Sequence, residues 1–148
     1  MERLLSLLGD PAHRIAFAGV GNLLRNDDGV GPYIAARIQK RKNRVIFHPE
    51  AGIERYISVI NRENADLLVI IDCVDFGKPA GHWEAIHAGQ IAETGFNSHN
   101  ISLKKLTNFF NSDTWVIGVQ PADLRVGESL SAPVIKSALE IISLINQT

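Results

Sequence analysis

Two acidic residues and one histidine stand where this chain could do chemistry. Asp28 lies in "GVGNLLRNDDGVGP" (19–32), Asp72 closes the aliphatic run "DLLVIID" (66–72), and His99 lies in "GFNSHNISL" (95–103). Two carboxylates and an imidazole, with positions left open for water or substrate, suit a first-row transition metal such as zinc, nickel or iron. Taken singly, each is as readily structural. An acidic residue at a helix start is favoured there, so Asp27 or Asp28 also reads as a helix cap. What makes the three a candidate site is their shared placement, each in a loop at the C-terminal edge of the expected sheet.

The first stretch also resembles the start of a dinucleotide-binding turn, and that reading fails. The fingerprint needs a third small residue for close helix–strand packing. Gly19 and Gly21 fit the first two positions, but Leu24 occupies the third. Asp27 and Asp28 would repel a pyrophosphate, and no Gly-Lys-Ser/Thr follows to make a phosphate loop. The acids are better explained as the purpose of the loop, aimed at a cation.

Other candidates rank lower. His48 with Glu50, at the end of the second expected strand, is a second pair that borders the same cleft. His13, His82 and His87 read as surface or edge residues. Cys73 is the single cysteine, which excludes an internal disulfide and a cysteine-built metal site. It follows an apolar run and reads as packing rather than as a nucleophile.

The elements that must position these residues follow from periodicity. "IAFAGV" (15–20), "RVIFH" (44–48), "DLLVIID" and "TWVIGVQ" (114–120) are short apolar runs of the kind buried in a sheet. "GHWEAIHA" (81–88) is a fifth strand, less regular, and placed at an edge. Helices are expected at residues 2–8, over "VGPYIAARIQKRKN", at 52–64, at 101–111, and over the closing "SAPVIKSALEIISLINQ". Pro32 and Pro133 suit first turns, and Ser131 suits a cap. Strands that alternate with helices imply a mostly parallel sheet covered on both faces. The fold class is therefore α/β: one three-layer α/β/α domain over residues 1–148, with a twisted, mostly parallel sheet of about five strands. In such folds sites form where strands end, near the switch point.

The bulk numbers narrow the function classes. The chain has 148 residues, 45% of them hydrophobic, and a net charge of −1. That is enough for one core. There is no global basic field to hold nucleic acid or an anionic membrane. The local run Lys40-Arg41-Lys42 with Arg44 is placed at a helix end, where cations are favoured. The first residues lack a basic leader pattern and no run reaches membrane-spanning length, so a cytoplasmic location is expected.

Four stretches together carry a resemblance: "GVGNLLRNDDGVGP", "LLVIIDCVDFG", "SHNISL" and "VIGVQPADLRVGESLSAPV". In this combination, from about Ile15 to the last helix, the chain resembles the NiFe-hydrogenase maturation endopeptidases. The resemblance implies one α/β domain that removes a short C-terminal peptide from the hydrogenase large subunit after nickel insertion. It implies that Asp28, Asp72 and His99 face the nickel, with Asp28 and Asp72 catalytic, and that Asn22 and glycines 19, 21, 29 and 31 shape the loop. It implies that nickel arrives with the substrate, although another divalent ion fits the same ligands in the free enzyme. The partners it implies are the immature large subunit and, beyond it, other nickel-insertion maturation proteins. One segment departs from the family: "HPEAGIE" (48–54) stands where many members carry an Asp-Gly-Gly-Thr-like turn, at the border of the substrate cleft. Three rival readings stay open: a non-catalytic maturation chaperone that binds the large-subunit tail, a nucleotide-binding α/β module, and a related protease acting on a nickel-free substrate.

Overall fold

A computed structural model describes residues 1–50, 52–93 and 103–148. The strands are β1 (Ile15–Val20), β2 (Arg44–Glu50), β3 (Leu67–Cys73), β4 (Trp83–His87) and β5 (Asp113–Val119). The helices are α1 (Glu2–Gly9), α2 (Val30–Ala35), α3 (Ile57–Arg62), α4 (Leu103–Thr107) and α5 (Ala132–Gln147). One sheet runs in the order β2-β1-β3-β5-β4. Pairings β1–β2, β1–β3 and β3–β5 are parallel, and β4 is an antiparallel edge strand on β5. The mostly parallel α/β sheet read from the sequence is thus present, with "GHWEAIHA" at its edge.

Strand alternation divides the buried side chains between the two faces. Ile15, Phe17, Leu67, Val69, Ile71, Ile117 and Val119 face α1, α2 and α5, packing with Leu4, Leu8, Ile34, Val134, Ile141 and Ile145. Ala16, Ala18, Leu68, Ile70 and Val116 face the other way, onto Ile53, Ile60, Leu106 and Phe110. Every residue of β3 is buried, as a strand covered on both faces requires. Each fully buried Ile or Leu contributes about 1.5–3 kcal/mol relative to exposure.

From β1 the chain crosses through α2 to β2 on one side, then returns through α3 to β3 on the other. The ends of β1 and β3 therefore flank the point where the strand order reverses, which is where ligands bind in this architecture.

Several local expectations change. The helix expected over 30–43 ends at Ala35 and a turn follows. The reason is tertiary: Asn146 on α5 accepts the Gln39 N–H at 2.9 Å and donates to the Arg37 carbonyl at 3.1 Å. Both are backbone groups that a continuing helix would use. The basic run consequently does not cap its own helix. Arg41 instead donates to the carbonyls of Asn146 and Thr148 at the C-terminal end of α5, where orphan carbonyls and the negative dipole end favour a cation. The segment from Ile53 enters as a 3-10 turn (Ile53–Tyr56) before α3, and β2 runs on to Glu50.

Candidate functional site

The first loop is built around close backbone approaches. Gly21 has φ +143, and a Cβ there would lie 1.8 Å from the Asp28 carbonyl oxygen. Only glycine lets the chain leave β1 with the acidic turn folded back on it. At Gly31, a Cβ would lie 2.2 Å from the Val20 carbonyl oxygen and 2.3 Å from that of Ile71. Its missing side chain lets α2 press onto the ends of β1 and β3. Gly31 thus supplies the tight helix–strand contact that Leu24 cannot. The 3-10 turn Asn26–Gly29 is thereby held over the end of β3.

Asn22 fixes Asp28. Its backbone N–H donates to Asp28 Oδ2 at 3.0 Å, and its side-chain Oδ1 accepts the Leu24 N–H at 2.9 Å. Asp28 is half-buried at the mouth of the turn, whereas Asp27 is 0% exposed. The Asp27 carboxylate accepts the N–H groups of Ala122, Asp123 and Ser131 at 2.8, 3.0 and 2.7 Å, and the Ser131 hydroxyl at 2.8 Å. Asp27 is therefore the structural neighbour of Asp28, tying the first loop to the segment between β5 and α5. It is not a helix cap, since the short helical elements that follow have no side-chain cap bond. Ser131 does stand at the N-cap position of α5, but its hydroxyl is given to Asp27 instead of capping the helix.

Asp72 lies at the end of β3, paired in register with Gly118 of β5, and is 2% exposed. Its Oδ1 accepts the Cys73 N–H at 2.7 Å. Burial first, and the nearby negative charge of Asp28 second, push its carboxyl up to about 8, while the Cys73 hydrogen bond pulls the other way. The 3-10 turn that carries Asp28 packs on β3, so both acids lie at the same sheet edge. A buried carboxylate beside a second one favours a proton or a cation. Cys73 is buried and free, and burial, then the charge of Asp72, raise its thiol far above the ordinary range. This is the environment of a packing cysteine, not of a thiolate nucleophile.

His99 lies outside the described residues. Among the described residues, no three His, Cys, Asp or Glu side chains converge, so the described part of the site is the pair of carboxylates. His48 and Glu50 are exposed and line a cleft of about 520 Å³ with Glu54, Arg55 and Tyr56. That cleft adjoins the first loop, because the Gly21 N–H donates to the Glu50 carbonyl at 2.8 Å. His82 and His87 pair with Glu84 and Asp113, each at 2.6 Å, at the β4 edge. His13 bonds the Leu7 carbonyl at 3.2 Å.

Sequence reading missed the supports of this site. Gln120, buried just past β5, accepts the Phe76 N–H at 2.6 Å through Oε1 and donates to Asp75 at 3.1 Å through Nε2. It shapes the turn that follows Asp72. The signal for it was available: "QPADLRVGES" is a turn-rich stretch directly after a buried strand, at the same sheet edge as the other two loops.

Comparison with known proteins gives a family, two relatives and a solved structure. Residues 30–148 match the family model described as hydrogenase maturation protease. The hydrogenase 3 maturation protease of Escherichia coli K12 is 29% identical over 129 residues, which cover 83% of this chain and 82% of that protein. The hydrogenase expression/formation protein HupD of Thiocapsa roseopersicina is 27% identical over 150 residues, covering 87% of this chain and 67% of that protein. Among solved structures, the [NiFe] hydrogenase maturation protease HycI of Thermococcus kodakarensis superposes with a TM-score of 0.84 over 99% of both chains at 24% identity, a likeness of fold.

Proposed function

The chain belongs to the hydrogenase maturation proteases, and we propose that it removes a C-terminal peptide from the large subunit of a NiFe-hydrogenase once nickel has been inserted there. In this reading Asp28, Asp72 and His99 face the nickel, which arrives as part of the substrate. The observation that carries it is the turn that holds half-exposed Asp28 over the end of β3, where buried Asp72 lies. A cation bound at that edge favours the charged form of both carboxylates. The nickel thereby docks the scissile segment.

The chemistry left to the protein is activation of a water. A general base must be ionised when the water attacks, and a cation at the site favours that form. Asp72, buried at the end of β3, is then suited to take the proton from the attacking water and deliver it to the leaving amine. Asp28, anchored by the Asn22 N–H, is the second carboxylate, placed at the mouth of the turn. A metal ion beside the scissile carbonyl would polarise it as a Lewis acid.

The test is mass spectrometry of a co-expressed large subunit, with and without nickel, against wild type, Asp28→Asn, Asp72→Asn and His99→Ala. Loss of a C-terminal peptide is expected only with nickel and only with wild type. Wild-type cleavage by all three variants overturns the assignment of the site. Nickel-independent cleavage returns the reading to a protease with a nickel-free substrate, and binding without cleavage returns it to a chaperone.

A further inference from the structure

The loop that carries Asp28 also carries two exposed leucines. Leu23 is 49% and Leu24 is 58% exposed, and across from them Val126 is 90% exposed. Leucines and a valine left in water beside a candidate active site mark a place where another surface sits.

These side chains stand on a braced backbone. The Asn26 N–H donates to the Gly127 carbonyl at 2.8 Å, and the Gly127 N–H to the Leu24 carbonyl at 2.9 Å. Arg25 Nε donates to the Leu124 carbonyl at 3.1 Å, and the Ser129 N–H to Asn26 Oδ1 at 3.1 Å. Below them, Asp27 clamps the same two segments. The one exposed charge between Leu124 and Val126 is engaged locally: Arg125 holds Asp123 through Nε at 3.0 Å and Nη2 at 2.8 Å. The result is a braced apolar ridge, with the exposed side chains of Arg25 and Glu128 beside it. Preordered anchors of this kind lose little conformational freedom on association.

The ridge is continuous with the carboxylate pair. A Cβ built on Gly29 would meet Leu23 Cδ2 at 3.4 Å, so Leu23 lies against the residue next to Asp28. A protein whose backbone reaches Asp28 comes up beside Leu23, which shares its loop.

We propose that Leu23, Leu24 and Val126 form the docking surface for the folded body of the immature large subunit, as distinct from the tail that is cut. The inference rests on the protease reading above. It assigns to the ridge the affinity for the protein substrate, and leaves the bond-breaking step to the carboxylates.

The experiment measures two quantities on the cognate immature large subunit, its Kd and its cleavage kinetics. The proteins compared are wild type, Leu24→Asp/Val126→Asp, the milder Leu24→Ser/Val126→Ser, and Ile135→Asp/Leu139→Asp on the exposed face of α5 as control. The expected result is a rise of about tenfold or more in Kd and KM for the Asp pair, with kcat within about twofold. A smaller rise is expected for the Ser pair, no change for the control, and wild-type melting temperatures throughout. Unchanged Kd and KM in both ridge variants overturn the proposal. So does a dimer of this chain, seen by light scattering, that the Asp pair dissociates. A wild type that binds at least tenfold tighter than the ridge variant yet cuts nothing upholds the docking surface and overturns the protease reading.

Discussion

Asp27 and Asp28 are neighbours in sequence with opposite surroundings. Asp27 is sealed among four donors from residues 122–131, while Asp28 is left half in water beside Asp72. Sequence reading could choose Asp28 for the site because the pattern of a glycine loop, an aliphatic strand and a later acid is local. It left Asp27 as a structural neighbour of Asp28 or a helix cap; the structure bears out the first, through partners 95 to 104 residues away that no local pattern reveals. Replacing Asp27 by alanine leaves three part-buried N–H groups without their buried acceptor, so a loss of about 2–3 kcal/mol is expected in urea denaturation. A loss under about 1 kcal/mol would mean that water replaces the carboxylate. Asp72 gives the opposite sign. It binds its proton up to about pH 8 when folded, against 3.8 ordinarily. Between those values the folded state holds more protons than the unfolded state, so stability is fullest below about pH 4 and falls as pH rises through 8. In the metal-free protein Asp72→Asn removes this slope and is more stable than wild type at pH 9, while cleavage is lost. Chemical denaturation at pH 5, 7 and 9 checks the sign; parallel pH curves for the two proteins would contradict it.

At the scale of elements, local pattern gave the kinds of segment and tertiary contact gave their ends. The aliphatic runs at 15–20, 66–72 and 114–120 were legible as strands because burial on both faces leaves no polar positions to confuse the pattern. α2 was overextended because nothing local announces that Asn146 takes the backbone groups of Arg37 and Gln39. The first loop is the element on which the site depends most. Gly21→Ala would place a methyl 1.8 Å from the Asp28 carbonyl oxygen, at a φ of +143 that side chains rarely adopt. Something must shift, and the nearest movable part is the turn that carries Asp28. The expected outcome is a folded protein, destabilised by roughly 1–3 kcal/mol, whose rate of large-subunit cleavage falls at least tenfold. Wild-type cleavage by Gly21→Ala would show that Asp28 reaches its position without this turn.

Across the whole molecule, the two faces of the sheet are unequally built. One face is covered by α5, a helix of 16 residues, together with α1 and α2. Among the described residues, the other is covered by α3 and α4, helices of 6 and 5 residues, and by 3-10 turns. Helices this short are marginal alone and depend on the sheet they cover. Among the described residues no helix is long and apolar enough to cross a membrane. The face covered by these short helices is the one onto which Leu68 and Ile70 point, and Asp72 shares it by strand alternation. A site that must admit a folded substrate is better served by covering elements that open at low free energy. Native-state hydrogen exchange tests this. The amides of β1, β3 and β5 should exchange only through global unfolding, with a strong dependence on denaturant. Those of α3 should exchange faster, through an opening nearly insensitive to denaturant, while α5 follows the strands. If α3 and β3 share one opening free energy, both faces belong to a single cooperative unit, and access to Asp72 then has to come through the mouth beside Asp28 alone.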